Sequence, residues 1–349
     1  MKPLVSIIIP AYNHDTWIAE SIQSALAQTW PNKEIIVVND GSTDRTAEIA
    51  QSFVPKIKVV STENRGLSAA VNTAYRHCGG DYIQELDADD LLLPDKIERQ
   101  LRALREGDSK RTLLSSPWAP FYYRTNSVRF VKNSFWEDLT PVEWLLRKMS
   151  EGTHMQNATW LVSRDLAEAA GPWDESLQYD QDGEYFSRVL AASEGTRFVP
   201  GTGILYRITG PNRISYIGNS GAKKDSLFRS MKLHIQYLRS LEESERVRKA
   251  CVTYMQIWYG MFYPSMMDIV VEMQKLAAEL GGQLQEPQLR RKYTWMEPIV
   301  GHETAQRMQM ALPQLKVQAI RQFDKLMDRL QTKEKMRGSE STVAGGRTL

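Results

Sequence analysis

Four short apolar runs near the N-terminus, the first, second and fourth ending in polar turns, constrain this chain more than any other feature. Val5-Ser6-Ile7-Ile8-Ile9 is β-branched and reads as a buried strand, which Pro10 should stop because it has no amide proton for the ladder. Glu34-Ile35-Ile36-Val37-Val38 repeats the pattern and ends in Asn39-Asp40-Gly41-Ser42. Ile57 to Val60 predicts a third strand, and Tyr82 to Leu86 a fourth that ends in Asp87-Ala88-Asp89-Asp90. Between them lie helical spacings: Thr16 to Ala27, a helix capped by Ser42 or Thr43 that runs to about Phe53, and Leu67 to His77. After Pro94 a charged helix extends to about Arg105. Such alternation with short connections implies an α/β chain with a mainly parallel sheet covered by helices on both faces. Ligands of open sheets of this kind sit beyond the carboxyl ends of the strands. Here those ends carry Tyr12-Asn13, Asp40-Gly41-Ser42 and Asp87-Ala88-Asp89.

The rhythm then stops. Residues 107–116 read as a connection, and from Leu113 to Tyr206 the chain is rich in Trp and Tyr without a βα repeat. From about Ala222 the pattern is helical, with Leu227, Met231, Leu233, Ile235 and Leu238 spaced for an amphipathic helix. The apolar stretch from Cys251 to Val271 is interrupted by Pro264 and Asp268, so buried helical packing is expected rather than a membrane span. An interfacial helix or a partner-binding face is the alternative there. Lys333 to Leu349 is polar and is expected to be a disordered tail. The expected division is therefore 1–110, 111–220, 221–332 and 333–349.

Composition narrows the partners. A net charge of +2, with no basic stripe and no zinc-finger spacing, gives no footprint for nucleic acid. Only Cys78 and Cys251 are present, which points to a reducing compartment. The run from Val5 to Ile9 is too short for a signal peptide or a membrane span. The expected location is the cytoplasm, with the inner membrane face as a peripheral site.

The acidic turn carries the chemistry. Asp87, Asp89 and Asp90 repel one another at the end of an apolar strand unless a cation sits among them. Hard oxygen ligands select Mg²⁺ or Mn²⁺, which commonly add substrate phosphates to a few carboxylates. A solvated helix N-terminus is the plainer reading of an isolated Asp-x-Asp. Asp40 can accept a ring N–H of a pyrimidine, or it can close an Asx-turn into the next helix. Arg65 and Asn72 are further polar candidates, against a role in loop hydrogen bonding. Trp160 and Trp173 offer rings that could stack on a sugar, or simply fill the core. His154 could reach a metal or serve the structure.

Taken in order, Val5-Ser6-Ile7-Ile8-Ile9-Pro10-Ala11-Tyr12-Asn13, Ile36-Val37-Val38-Asn39-Asp40-Gly41-Ser42-Thr43-Asp44, Asn64-Arg65-Gly66-Leu67-Ser68-Ala69-Ala70-Val71-Asn72 and Leu86-Asp87-Ala88-Asp89-Asp90 resemble the successive signatures of family 2 glycosyltransferases. The resemblance implies a GT-A fold, a nucleoside-diphosphate-sugar donor, a divalent metal and inversion at the anomeric carbon. By position it places Asp40 on the base, Arg65 on the nucleotide, Asp87 on the ribose or in the metal shell, and Asp89 on the metal. Tyr12 and the backbone near Pro10 and Ala11 would line the base pocket, with Asn13 and Ala88 also among the donor-binding residues. The later block, Gly171 to Leu177 and then Gln181-Asp182-Gly183-Glu184, resembles the family's base motif, so Asp182 is the expected general base, although Gln181 stands where Glu is usual. Asp180 and Glu184 are reserves. Tyr206-Arg207 and Arg213 follow as cations for the departing diphosphate, with Thr209 where many relatives carry His.

The expected activity is transfer from a UDP-sugar to a hydroxyl of a saccharide or lipid-linked acceptor, in polysaccharide, O-antigen or other glycoconjugate synthesis. The irregular middle of the chain would face that acceptor, and the C-terminal helices would dimerise, recruit a partner or rest on a membrane. The alternatives are a sugar nucleotidyltransferase, whose Gly-rich basic loop is missing here, and a non-catalytic nucleotide-sugar-binding protein on the same fold.

Overall fold

The computed structural model describes residues 2–126, 128–210, 216–218 and 220–344, with the side chains of 332–344 and of a few residues between 302 and 314 left aside. The elements in chain order are β1 (Val5–Ala11), α1 (Ile18–Leu26), β2 (Lys33–Asp40), α2 (Thr46–Gln51), β3 (Lys58–Thr62), α3 (Leu67–His77), β4 (Tyr82–Glu85), β5 (Leu91–Leu92) and α4 (Lys96–Arg102). There follow β6 (Thr112–Ser115), β7 (Trp118–Phe121), α5 (Pro141–Glu151), a 3₁₀ turn (Asn157–Thr159), β8 (Val162–Ser163), α6 (Arg164–Ala170), α7 (Gln181–Ala192), β9 (Gly195–Phe198) and β10 (Ile204–Arg207). The rest is helical: α8 (Gly221–Leu241), α9 (Glu245–Phe262), α10 (Met267–Glu279), α11 (Glu297–Val300) and α12 (His302–Ala344), with a 3₁₀ turn at Arg291–Met296.

The main sheet has the order β3-β2-β1-β4-β8, parallel except for β8, which pairs with β4 through Tyr82↔Ser163 and Ile83↔Val162. Because side chains alternate along a strand, β1 feeds two cores. Val5, Ile7 and Ile9 pack with Ile18, Ile22 and Ala25 of α1 and Ile97 of α4. Ile8, with Ile36 and Val38 of β2, packs with Ala70, Val71 and Ala74 of α3 on the other face. This is why both strands read as continuous apolar runs.

Pro10 does not stop β1. The β1–β4 ladder ends at Ile8↔Glu85, whereas the β1–β2 ladder continues through Pro10↔Val38 and Ala11↔Asn39. With no strand on its β4 side, Pro10 has no ladder partner there to deprive of an amide. The second helix also departs from expectation. It starts at Thr46, and Asp44, not Ser42 or Thr43, captures the Thr46 amide at 2.9 Å. Residues 107–116 contain β6, which pairs in parallel with β9 from Thr112↔Gly195 to Ser115↔Phe198.

The chain divides into two compact units, and not at the expected boundaries. The first comprises Met1–Ala119, Phe130–Tyr206 and Asn212–Glu286. Helices α8 to α10 belong to it because Leu227, Met231, Tyr254, Met255, Val270 and Met273 share one core with Leu145 and Met149 of α5 and Phe186, Val189 and Leu190 of α7. The break between α9 and α10 falls at Tyr263 to Met266, where Pro264 interrupts the apolar stretch. The second unit comprises Pro120–Arg129, Arg207–Pro211 and Pro287–Leu349. In it α12 continues to Ala344, so residues 333–344 are helical rather than a disordered tail; Lys333, Glu334, Lys335, Met336 and Arg337 are all good helix formers. No helix among the described residues is long and apolar enough to cross a membrane.

Candidate active site

The carboxyl ends of β1, β2 and β4 bring three loops together. Asn13 sits at φ 55 and ties the first loop to the second: its amide donates to Ser42 Oγ at 3.1 Å, and its side-chain oxygen accepts from the Thr43 amide at 2.8 Å. The His14 amide donates to Thr46 Oγ1 at 2.7 Å. Asp40, buried at the end of β2, accepts from the Arg65 amide at 3.0 Å and the Gly66 amide at 2.8 Å, which fixes the loop entering α3. A carboxylate offers about four lone-pair sites, so two amides leave acceptor capacity for a ligand. Gly41 is obligatory beside it: at φ +68, a Cβ would stand 2.6 Å from the Asn64 nitrogen. Tyr12 is 43% exposed, with its ring open at the edge, whereas Pro10 and Ala11 are buried and can offer only backbone.

Asp87, Asp89 and Asp90 each present a carboxylate oxygen, and the three lie within 4.8 Å of one another. Two side chains from the 3₁₀ turn region hold Asp87 and Asp90. Asn157 Nδ2 donates to Asp87 Oδ1 at 2.9 Å, and Gln156 Nε2 donates to Asp90 Oδ2 at 2.9 Å and to Asp87 Oδ2 at 3.3 Å. His14 Nε2 stands 3.9 Å from Asp89 Oδ2. Burial, and then the charge of Asp89, push Asp87 up to about 7 despite the Asn157 bond. Glu85, two residues earlier and facing the core, is pushed to about 8 by burial and by the charge of Asp87, against a Tyr75 hydroxyl donating at 3.2 Å. Three crowded carboxylates, of which Asp87 and Asp90 are held by amides and Asp87 is raised in pKa, are the donor set that a hard dication relieves. The residues therefore fit Mg²⁺ or Mn²⁺.

The start of α7 carries three further carboxylates, Asp180, Asp182 and Glu184. Asp180, at φ 59, turns inward to Ser230 and lies 3.8 Å from His234 of α8. Burial raises it to about 6. Glu184 is buried and engaged by Arg188 at 2.9 and 3.0 Å and by Tyr237 at 2.6 Å. Asp182 instead lies within electrostatic range of the acidic turn, since its charge adds to the upward push on both Asp87 and Glu85. Behind it Lys148 Nζ donates to Ser187 Oγ at 3.1 Å and to the Gly183 carbonyl at 3.3 Å. Burial lowers the Lys148 pKa, while Asp180, Asp182 and Glu184 raise it.

Several sequence expectations need correction. Trp160 is 1% exposed, stacked on Phe186 and tilted against Trp144; Trp173 is 3% exposed and stacked on Tyr185 at 4.7 Å. Neither ring face is open to a sugar. Asn72 is consumed in structure: its side chain donates to the Trp173 carbonyl and Glu175 and accepts from the Trp173 amide. Arg65 reaches the edge, but its guanidinium pairs with Glu175 at 2.7 Å. Arg207 is buried over the Phe121 ring at 4.4 Å, not turned to a phosphate. Arg213 lies outside the described residues.

Trp118 and Tyr206 are half-buried aromatic side chains, edge to face at 5.8 Å, with the His154 ring 5.6 Å from Trp118. Burial lowers the His154 pKa against the pull of Asp182. Sequence reasoning missed Trp118, Gln156, Asn157 and His14. His14 follows the Tyr12-Asn13 turn and was within reach of that reading; Gln156 and Asn157 come from a distant turn with no local signal.

Residues 6–166 match the family described as Glycosyl transferase family 2. An uncharacterized glycosyltransferase of Rickettsia typhi is 37% identical over 192 residues, 55% of this chain and 60% of the relative, so the match spans under two thirds of that protein. Among solved structures, residues 1–349 of Staphylococcus aureus TarS, in complex with UDP-GlcNAc, superpose with a TM-score of 0.62 at 17% identity, over 79% of this chain and 80% of that one. The mannosyltransferase PcManGT of Pyrobaculum calidifontis, in complex with GDP-Man and Mn²⁺, gives 0.50 at 17% identity, over 92% and 88%. These likenesses establish the GT-A fold.

Proposed function

We propose that this chain is an inverting glycosyltransferase that moves a sugar from a nucleoside-diphosphate sugar, a UDP-sugar in the first instance, to a hydroxyl of a saccharide or lipid-linked acceptor. The observation that carries this is the pairing of a preorganised acidic turn, Asp87 to Asp90, with Asp182 on the first turn of α7 within range of its field. The match of residues 6–166 to the Glycosyl transferase family 2 model and the UDP-GlcNAc bound to a protein of the same fold support the donor class.

Residues 1–110 form the donor half in this reading and 111–220 the acceptor half. Tyr12 lies against the base, Asp40 accepts its ring N–H, and Arg65 leaves its exposed pair with Glu175 to meet the nucleotide, which costs little because such pairs are worth about 1 kcal/mol or less. Ala88 and Asn13 border the diphosphate, with Arg213 as the proposed cation for it. Asp89 and Asp87 would hold Mn²⁺ or Mg²⁺, which when bound offsets charge on the departing diphosphate. Asp182 takes the proton of the acceptor hydroxyl as that oxygen bonds to the anomeric carbon from the face opposite the diphosphate. The anomeric C–O bond to the diphosphate breaks with its electron pair leaving on the phosphate oxygen, so configuration inverts. Trp118 and Tyr206 replace Trp160 and Trp173 as the aromatic acceptor platform. We place the enzyme in the cytoplasm or at the inner membrane face, in glycoconjugate synthesis, on the strength of its unpaired cysteines and donor class.

The test is a panel of UDP-sugars with Mn²⁺ and saccharide acceptors, scored by UDP release and by NMR of the new linkage. Release with an inverted anomeric signal is expected. Release with retained configuration would remove Asp182 as base of a direct displacement, and no release from any donor would leave the fold without this activity.

A further inference from the structure

Lys96, at the start of α4, is completely buried, and so are Gln84 at the end of β4 and Gln100 one turn further along α4. Lys96 Nζ donates to Gln84 Oε1, to Gln100 Oε1 at 2.8 Å and to the Trp160 carbonyl at 3.4 Å. Three acceptors match the three protons of an ammonium, so the oxygens favour the charged form while burial pulls the lysine pKa well below its usual value. The three are neutral oxygens rather than carboxylates. A charge buried in this way is costly, and an apolar side chain of similar length would fill the same space without that cost. Packing alone therefore does not call for a lysine here.

What the ammonium does is orient two amides. A primary amide can face either way round, and a donor on one side decides which end meets it. Both glutamine oxygens face Lys96, which leaves both NH₂ groups for the 3₁₀ turn. Gln84 Nε2 donates to the Ala158 carbonyl at 2.9 Å and Gln100 Nε2 to the Thr159 carbonyl at 3.0 Å, while Lys96 itself takes the Trp160 carbonyl. Three consecutive carbonyls are thereby fixed. The Ala158 amide then donates to Gln156 Oε1 at 2.7 Å and to Asn157 Oδ1 at 2.8 Å. With their oxygens so engaged, these two side chains turn their NH₂ groups to Asp87 and Asp90. We infer that Lys96 is a positioning residue for the acidic turn, acting through Gln84 and Gln100 on the backbone of 158–160 and, through Gln156 and Asn157, on the carboxylates of Asp87 and Asp90. This rests on the reading of that turn as the donor and metal site. Networks of this kind hold their shape only when every member is satisfied, so removing the ammonium loosens the far end as well as the near one.

The experiment is calorimetric titration of UDP with Mn²⁺ into the full chain, as wild type, Lys96→Met, Asn157→Ala and the two combined, with a thermal melt of each. Asn157→Ala should raise the Kd about 10–100-fold, as loss of a group that orients a metal ligand does, and Lys96→Met by about 10-fold. In the Asn157→Ala background Lys96→Met should weaken binding by a smaller factor than in wild type, because both act along one route. If Lys96→Met does not fold, Gln100→Leu, which releases the Thr159 carbonyl, takes its place in the same cycle. Wild-type affinity in a folded variant, or two factors that simply multiply, would overturn the inference and leave the donor site standing. A wild-type chain that does not bind UDP with Mn²⁺ would instead overturn the donor site, and the inference with it.

Discussion

Residues 1–110 and 111–220, which we propose as the donor and acceptor halves, use the same residue types to opposite ends. In residues 1–110 polar side chains cluster just past strand ends, and Tyr12, Asp40, Asp87 and Asp89 all arrive at one edge of the sheet. In residues 111–220 the large aromatic side chains are spent on packing: Trp144, Trp160 and Trp173 are buried, and only partly covered rings such as Trp118 and Tyr206 remain for a ligand. Position in a βα repeat predicts where a side chain points; residue type in an irregular region does not.

The sharpest test of this division is Asp182→Asn, which removes the base while leaving the donor edge intact. We expect kcat to fall by about 10²–10⁴ with UDP affinity unchanged. An equal loss of nucleotide binding, measured by calorimetry, would mean that Asp182 belongs to the donor side. Next in size, Trp160→Ala should destabilise the fold by about 3–5 kcal/mol in urea titration, as loss of a fully buried ring does. Trp118→Ala should leave the melt nearly unchanged and raise the acceptor KM roughly 10-fold, about 1.4 kcal/mol. If Trp160→Ala instead proved stable and lost acceptor affinity, the contrast between the two rings would collapse.

Smaller still is the effect of Glu85, which lies on the border. Its folded pKa is raised from 4.5 to about 8, so the folded state binds protons that the unfolded chain has released. Stability from this group is therefore full below about pH 4.5 and declines as pH climbs towards 8. Glu85→Gln removes the burden and should stabilise the protein by about 1–3 kcal/mol at pH 8, with the gain vanishing near pH 4.5. Melting curves across that range decide it; a gain independent of pH would show that packing, not ionisation, is responsible.

The pattern of success in reading the sequence follows from the same contrast. β1 to β4 and α3 were legible because buried parallel strands are written as unbroken Ile and Val runs and the helices as regular spacings. Pro10 misled because whether a strand tolerates proline depends on which neighbour its missing amide would face, a matter of register. β6 was missed because only Leu113 and Leu114 mark it, and its partner β9 lies some eighty residues on. Asp182 could be singled out only through its motif; that Asp180 and Glu184 turn inward depends on α8, Arg188 and Lys148. Gln156 and Asn157, which hold the acidic turn, have no sequence signal at all because their partners are about seventy residues away.

We propose that the acidic turn beyond β4 binds a nucleoside diphosphate together with a divalent metal. Calorimetric titration of UDP into the protein, with and without Mn²⁺ and repeated on Asp89→Ala, tests it directly. The account predicts binding that requires Mn²⁺ and is lost in the variant. UDP binding that is equal without metal, or undiminished in Asp89→Ala, would contradict it.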